Sequence, residues 1–560
     1  MLVGNLSNGV IPQSQAYVTF ALRWCPPDSP LQGDPFDDSV LLWTRAVPLS
    51  PGPDQSIPVC VSFKIFDNSK LSGQPVDSGE AFTTYDVDFT VKVEAQHLKA
   101  DTHYWFQFAD CTNSNTTSPI GATRTISGPD TPAEQVNGGK PLTLAVFSCS
   151  QFQNGWFNAY GVAAHNTSAD IFVHLGDYVP RSSNSPYSAS IGRKVLGREL
   201  ATVFDYRQRL GQYRTDESLI FAHQNHPWIT DDHEVADQSW KAGTANSNDS
   251  TTGCSFSPSG ACFTDRKLAG VRAYHEWMPI RQVDVSDKLR IWRNFQIGTL
   301  LDLTMLDTRQ YDRDITDPLI VYSDINTIAD VQNRTLMGPA QEAWFNNTLS
   351  QSKSRGAIWR IVGQQIVFTQ LDEGGVCKYL VHSDAWDGYR ANRNRILDHI
   401  HDNKIDNVII LSGDSHANWV SDLSRELIAL RYNPETGEGS FAVEFAGVNF
   451  FSVTSGSSFG NGIAPPAADN ISRVIVAAEL NRDLQWSEGS YRGFFTLTID
   501  TEKVNATYWA MRNTSFANLD AFPSAQFIVE KGANKLKRPV AGGQVMAGVL
   551  QSSVVPSKTT

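Results

Sequence analysis

"LTLAVFSCSQ" (142–151) and "ADIFVHLGDY" (169–178) are the two stretches that decide the fold. Leu142–Ser148 and Asp170–Leu175 are continuous apolar runs of strand length, and a helix-like segment, Asn158–His165, lies between them. Strands that are apolar on both faces are typical of parallel sheets covered by helices. The two stretches therefore predict a βαβ unit at the start of an α/β domain.

The same alternation continues towards the C-terminus. Further buried strands are predicted at Leu300–Leu306, Ala357–Val362 and Val408–Leu411, with helices at Val203–Tyr213 and Gln341–Gln351. "YRGFFTLTID" (491–500) and "VNATYWAMR" (504–512) predict a strand pair that closes a sheet of this domain. We place the α/β domain at 141–535 and expect the small, polar segment 536–560 to be a flexible tail.

Residues 1–130 have a different pattern, with short strands separated by turn formers. The strands are predicted at Ala16–Leu22, Ser39–Arg45, Val59–Ile65, Asp86–Val93 and His103–Phe108. The pattern predicts a small antiparallel β-sandwich, similar to a fibronectin module, joined to the α/β domain by a linker at Ser127–Lys140.

Size and charge limit the class of protein. A chain of 560 residues exceeds what one hydrophobic core usually serves, so two domains are expected. The formal charge of -13 argues against a nucleic-acid or anionic-membrane partner, because both require basic surfaces. No apolar run reaches the roughly 18 residues that a transmembrane helix needs.

The cysteines and the glycosylation triplets favour an extracellular or secretory location. Cys254 and Cys262 flank a short loop that predicts a disulfide, Cys60 and Cys111 are a second candidate pair, Cys25 and Cys377 a third, and Cys149 is left over. Nine Asn-x-Ser/Thr triplets predict N-glycans, at Asn5, Asn115, Asn166, Asn248, Asn333, Asn346, Asn470, Asn505 and Asn513. Residues 1–20 lack a basic start followed by an apolar run, so we expect that the signal peptide is not present in this chain. A reduced cytosolic cysteine set is the alternative.

Ligand-type side chains follow the predicted buried strands. Cys149 ends the first, Asp177 follows the second, "TDDHE" (230–234) follows a third apolar run, and Asp414 and His416 follow the fourth. Open α/β sheets place their ligand loops at such strand ends. Each feature alone has a structural explanation: a turn, a helix cap or a buried thiol. Their conjunction predicts a site for two or more metal ions, because carboxylates, imidazole and thiolate are mutually compatible ligands.

Metal ions at this site indicate hydrolysis of a small phosphate ester through a metal-activated water. Another metal-dependent esterase or a phospholipase-like activity ranks last. The sequence contains no Gly-x-Ser-x-Gly motif with an accompanying triad, so a lipase-like serine mechanism has little support. The alternative from another class is an extracellular binding protein on a relic phosphoesterase fold.

The chain also resembles the PhoD-type alkaline phosphatases and phosphodiesterases of the metallophosphoesterase superfamily, from about residue 35 to residue 465. The resemblance rests on "FSCSQ", "HLGDY", "TDDHEV", "LDTRQY", "GPAQEAWF", "WRIVGQQIVF", "DAWDGYRANRNRIL", "LSGDSHANW" and "VEFAG". It implies a four-layer α/β/β/α sandwich after the N-terminal β-sandwich, and a cluster of iron and calcium. By position it implies the metal ligands Cys149, Asp177, Asp232, Asp414 and His416, with His233 assisting the leaving group.

The chain departs from the family pattern in two places, and the first concerns the metal. Pro180 stands where the family has a tyrosine ligand to iron, three residues after Asp177, and Asp237 and Gln238 stand where it often has asparagines. Pro180 leaves open a different metal, water in the vacated position, or weakened catalysis. The resemblance assigns no specific role to Arg309, Gln365 or the segment Trp386–Tyr389 with Asp387.

Overall fold

The computed structural model describes residues 22–23, 29–48, 57–178, 184–230, 235–236, 238–244, 246–316, 322–372, 384–415, 417–425, 432–447, 456–457, 459–461 and 464–554. Within these residues the protein is a mixed α/β structure with several sheets, as predicted. No helix among them is long and apolar enough to cross a bilayer.

The first large sheet has nine strands. Their order across the sheet is Ala521–Glu530, Lys503–Met511, Arg492–Ile499, Leu142–Phe147, Ile171–His174, Trp228–Thr230, Leu31–Gly33, Val40–Arg45 and Thr90–Ala95. The three central strands 142–147, 171–174 and 228–230 are parallel, so their carboxyl ends share one edge of the sheet. The predicted βαβ unit, with its helix at Asn158–Asn166, is confirmed.

The second large sheet has eight strands. Their order is Arg293–Ile297, Leu301–Met305, Trp359–Gln364, Val408–Ser412, Ala442–Ala446, Asn418–Leu423, Leu484–Glu488 and Val549–Leu550. The strands 301–305, 359–364, 408–412 and 442–446 are parallel, and every residue in them is buried. Burial on both faces explains why the sequence shows these strands as continuous apolar runs.

The two large sheets pack face to face. Trp486 of the second sheet lies 5.0 Å from Tyr508 and 5.4 Å from Phe527 of the first sheet, measured between ring centroids. The Tyr508 hydroxyl donates a hydrogen bond to the carbonyl oxygen of Ala446 across the interface, at 3.1 Å. One hydrophobic core therefore joins the sheets.

Helices cover the outer faces of both sheets. Tyr160 in the helix Asn158–Asn166 lies 4.7 Å from Phe147, on the first sheet. On the second sheet, Phe345 and Ile396, from two different helices, share a buried cluster with Val362. These two helices are Gly338–Ser354 and Arg390–Asp402. The other α-helices in the described part of the chain are Pro186–Ser190, Val203–Tyr213, Glu217–Asn225, Phe263–Trp277, Tyr322–Ile328 and Pro465–Ala477.

The N-terminal segment forms a four-stranded antiparallel sheet that packs on an extension of the first large sheet. Its strand order is Asp77–Thr83, Val59–Phe66, His103–Asp110 and Gly121–Arg124. Alternation along Val40–Arg45 explains the arrangement: Val40 and Leu42 belong to the core under the small sheet, whereas Trp43 belongs to the main core, 5.6 Å from Trp277. The segment thus shares a sheet with the α/β part of the chain. The predicted strand at Ala16–Leu22 lies almost wholly outside the described residues.

The expectation of a flexible tail at 536–560 is wrong for the described part of it, up to residue 554. Val549–Leu550 pairs with Leu484–Glu488 as an edge strand of the second large sheet. Leu536 and Val540 are buried in the main core. The few apolar side chains of this segment are spaced among small polar residues. The composition therefore does not indicate that these side chains pack in the core.

Two predicted disulfides are confirmed: Cys60 is bonded to Cys111 and Cys254 to Cys262. Cys149 is a free, buried cysteine, as predicted. Cys25 and Cys377 lie outside the described residues, so their pairing stays a prediction.

Candidate metal centre

Three of the predicted ligands meet where the two large sheets come together. Cys149 and Asp177 follow the first-sheet strands Leu142–Phe147 and Ile171–His174, and Asp414 follows the second-sheet strand Val408–Ser412. The thiol sulfur and one carboxylate oxygen from each aspartate all lie within 4.8 Å of one another. The Cys149 Sγ to Asp177 Oδ2 distance is 3.2 Å. Asp232, His233 and His416 lie outside the described residues, so their roles stay predictions.

The backbone at all three positions is left-handed. The φ angles are 56° at Cys149, 54° at Asp177 and 44° at Asp414. This conformation costs a residue with a side chain about 1–2 kcal/mol. Such strain is concentrated at functional sites, because the surrounding structure must hold it in place.

Hydrogen bonds join the loops that carry the ligands. The Cys149 amide donates to the Gly176 carbonyl at 3.0 Å, and the Ser150 amide donates to the Asp177 carbonyl at 2.9 Å. Ser148 Oγ lies 3.1 Å from Cys149 Sγ and 3.4 Å from the amide nitrogen of Asp414. The loops from the two sheets are therefore held in direct contact.

Buried polar side chains support the first two loops from behind. Ser150 Oγ contacts Tyr160 and lies 3.0 Å from His174 Nε2. The Tyr213 hydroxyl donates to the Ser150 carbonyl at 2.7 Å. Burial lowers the pKa of His174 to about 3, so this imidazole is neutral and acts as a hydrogen-bonding group, not as a charge.

The thiol of Cys149 is in an environment suited to a cation. Burial, and then the negative charges of Asp177 and Asp414, raise the pKa of Cys149 well above its usual value. A thiol held among carboxylates loses its proton readily only when a positive ion compensates the charge. The donor set of one sulfur and two carboxylates therefore fits a bound metal ion.

The residue next to Asp177 is directed elsewhere. Tyr178 is 2% exposed, and its hydroxyl lies 3.3 Å from His223 Nε2, in the helical layer behind the loop. Burial raises its pKa, although Arg214 partly offsets the effect. The Tyr178 hydroxyl is therefore engaged with His223 and does not belong to the group of ligand atoms formed by Cys149, Asp177 and Asp414. Pro180 itself lies outside the described residues.

Arg309 contacts the centre directly. Its guanidinium contacts the carboxylate of Asp414 and lies 3.8 Å from Asp177 Oδ1. On its other side, Nη1 donates to Asp384 Oδ2 at 2.8 Å. The role of Asp384 was not anticipated, although "DAWDGY" (384–389) contains it, because none of the buried strands predicted from the sequence leads to this aspartate.

Two other motif residues have structural roles. Gln365 accepts hydrogen bonds from the amide and the hydroxyl of Thr308, both at 2.6 Å, and so fixes the loop before Arg309. Asp387 forms an ion pair with Arg393 at 2.7 Å and accepts a hydrogen bond from the Leu371 amide at 3.0 Å. Both residues stabilise loops near the centre.

Comparisons with known proteins agree with this architecture. The family model for "PhoD-like phosphatase" matches residues 144–508, and that for "PhoD-like phosphatase, N-terminal domain" matches residues 31–127. Alkaline phosphatase D of Bacillus subtilis (strain 168) is 31% identical over 537 residues, which cover 93% of this chain and 84% of that protein.

Two solved structures of phosphatases also resemble this chain. The structure of PhoD matches with a TM-score of 0.73 and 28% identity, covering 91% of each chain. Purple acid phosphatase PPD1 from yellow lupin (Lupinus luteus) seeds shares the fold, with a TM-score of 0.53 and 11% identity over 90% of this chain and 75% of that one. The predicted family is confirmed, and the chain belongs to the PhoD-like phosphatases.

Proposed function

We propose that the protein is a metal-dependent phosphoesterase that hydrolyses phosphomonoesters, phosphodiesters or both through a metal-activated water. The observation that carries the proposal is the convergence of Cys149, Asp177 and Asp414 from three strand ends, with ligand atoms within 4.8 Å of one another. Membership of the PhoD-like phosphatases supports the reaction class.

The proposed centre divides its tasks among the side chains. Cys149, Asp177 and Asp414 hold metal ions, with Asp232 and His416 completing the ligand set. Bound cations at such a site neutralise phosphate oxygens and lower the pKa of a bound water. His233, beside Asp232 in the sequence, would donate a proton to the leaving oxygen.

Iron and calcium are the metals that the resemblance implies, and the thiolate of Cys149 favours at least one softer or more highly charged ion over an all-calcium cluster. Without a tyrosine at position 180, water or another ligand would fill that coordination position. Metal analysis of the purified protein, together with a thiolate-to-metal charge-transfer band that Cys149→Ser removes, would identify the ion at the sulfur.

We further propose that the α/β part of the chain, from residue 141 to at least residue 554, is a four-layer α/β/β/α sandwich preceded by a β-sandwich in 1–130. The face-to-face packing of the two large sheets and the helices on their outer sides support the four layers. The separate cluster beneath the four-stranded sheet supports a module with a core of its own.

A secreted, N-glycosylated protein is the proposed setting. The two disulfides are typical of an oxidising compartment. Asn115 is an exposed triplet residue near Cys111 and is a good acceptor site. Expression in a eukaryotic secretory host followed by glycosidase digestion should lower the apparent mass. An unchanged mass would contradict glycosylation.

Hydrolysis of p-nitrophenyl phosphate and bis-p-nitrophenyl phosphate tests the enzymatic proposal. Activity should disappear on chelation and return when particular cations are added back from among iron, calcium, zinc and manganese. Absence of turnover with either ester and every cation would contradict the proposal and favour the relic binding protein.

A further inference from the structure

Arg309 is a buried cation with carboxylates on two sides. Its side chain is 3% exposed. The guanidinium Nη2 meets Asp177 and Asp414, whereas Nη1 meets Asp384. A buried guanidinium requires anionic or hydrogen-bonding partners, because the loss of hydration is costly. Asp384 remains a partner of Arg309 when metal ions bind, whereas Asp177 and Asp414 do not.

Asp384 is the fixed partner. Its Oδ1 lies 2.8 Å from Arg313 Nη2 and 3.1 Å from the Thr316 hydroxyl, while its Oδ2 accepts from Arg309. Arg313 is fully buried and also donates to the Ser239 carbonyl at 3.1 Å. Burial by itself would raise the pKa of Asp384, but Arg313 and Arg309 outweigh it and lower the pKa to about 2. Asp384 therefore stays ionised and holds Arg309 in place.

Asp177 and Asp414 are exchangeable partners, because the same carboxylates are the proposed metal ligands. Cations that draw on these oxygens would weaken the attraction of the carboxylates for Arg309 and would repel its guanidinium. An anion bound between the metal ions and the guanidinium would offset this repulsion. A phosphoryl group has the required charge, and its oxygens match the fork of N–H donors that arginine presents.

We propose that Arg309 binds the phosphoryl oxygens of the substrate and that Asp384 is its positioning residue. The inference rests on the proposed phosphoesterase function and extends it to a substrate-binding side chain. Arg309 exchanges the two ligand carboxylates for the phosphoryl group, while its bond to Asp384 is kept.

Binding of inorganic phosphate to the metal-loaded protein tests the proposal independently of turnover. We would measure the dissociation constant by calorimetry, with metal content per chain determined on the same samples, for wild type, Arg309→Ala, Arg309→Lys and Asp384→Asn. Arg390→Ala is the matched control, because this arginine pairs with Asp330 on the surface.

Arg309→Ala should weaken phosphate binding at least tenfold at unchanged metal content, and added guanidinium ion should restore part of the affinity. Arg309→Lys should weaken binding severalfold, since it keeps the charge and loses the fork. Asp384→Asn should also weaken it, and Arg390→Ala should match wild type. If Arg309→Ala does not fold, the phosphate affinity of Arg309→Lys tests the proposal in its place.

The outcomes separate the inference from the proposed function. Wild-type protein that binds no metal or hydrolyses no ester would overturn both. An active wild type, with phosphate bound equally well by the Arg309 variants, would overturn the inference alone. Loss of metal in proportion to the loss of phosphate binding would make Arg309 a support of the metal site and would also overturn it.

Discussion

Replacing Gly413 by alanine perturbs the contact between the loop that carries Asp414 and the loop that carries Cys149. An alanine Cβ at this position would lie 2.4 Å from Ser148 Oγ and 3.1 Å from the carbonyl oxygen of Gln365. Ordinary contacts begin at 3.4 Å, so the loops separate by about 1 Å at Ser148 if its Oγ keeps its position beside Cys149 Sγ and the Asp414 amide. Rotation of Oγ away from the new methyl group would break both of these contacts, and the Ser148 Cβ would still lie only 3.2 Å from it.

Two effects of different size follow from this overlap. Overpacking of this kind costs about 1–3 kcal/mol in the free energy of unfolding. A displacement of about 1 Å between catalytic groups can lower activity on the order of 100-fold. We therefore expect Gly413→Ala to remain folded and to lose about two orders of magnitude in kcat/KM.

A double-mutant cycle isolates the contact. Ser148→Ala alone removes the weak contacts of Oγ and should have a small effect, whereas Ser148→Ala combined with Gly413→Ala should recover most of the lost activity. Gly79→Ala is the matched control, because its Cβ would lie 2.8 Å from the Phe63 ring in the N-terminal sheet. This control should lose stability and keep its activity.

The assay is p-nitrophenyl ester hydrolysis by metal-loaded protein, paired with urea unfolding of each variant. Gly413→Ala with kcat/KM within threefold of wild type would refute the reasoning, because the relative position of the two loops would then not govern activity. Equal losses in the single and double variants would refute the assignment of the clash to Ser148.

Three further outcomes are expected. Asp177→Ala should abolish hydrolysis while the circular dichroism spectrum stays that of wild type; full retained activity would remove the proposed role of this ligand. Burial raises the pKa of Glu488 to about 7 from its ordinary 4.5, so the stabilisation that it provides below about pH 4.5 is lost as the pH rises through 7. We would measure the free energy of unfolding in urea as a function of pH. For Glu488→Gln this free energy should lack the fall with pH, which is worth up to ~3 kcal/mol in wild type, and an unchanged fall would contradict the assignment. Cys60→Ser opens the bond to Cys111, 51 residues away, and should lower the free energy of unfolding by about 2–4 kcal/mol; an unchanged denaturation midpoint would contradict this.

The strands that carry the ligands were predictable because burial on both faces makes them continuous apolar runs. The predicted Leu142–Ser148 and Val408–Leu411 differ by one residue each from the observed Leu142–Phe147 and Val408–Ser412. Cys149 and Asp414 follow these strands directly, so the strand-end rule for α/β sheets locates them.

Pairing between distant segments was not predictable in the same way. The N-terminal strand Leu31–Gly33 joins the first large sheet through a single register pair, Gly33 with Trp228. No local sequence pattern predicts this pairing. Val549–Leu550 is too short to stand out as a strand, and its stability comes from pairing with Trp486 and Ser487. Asp384 was missed for a related reason, because its importance depends on two arginines from another part of the chain.

The candidate centre is divided between the two large sheets, and this division explains how its geometry is fixed. Asp177 belongs to the first sheet, whereas Arg309 and Asp414 follow strands of the second. Their separation is therefore set by the packing of the sheets more than by the conformation of any one loop. The Tyr508 hydroxyl bonds to Ala446 across the interface, and Ala446 pairs with Ser412, the last residue of the strand that leads to Asp414. The packing of the core between the sheets consequently also sets the positions of the ligands. Substitutions at the sheet interface should therefore change metal affinity as well as stability.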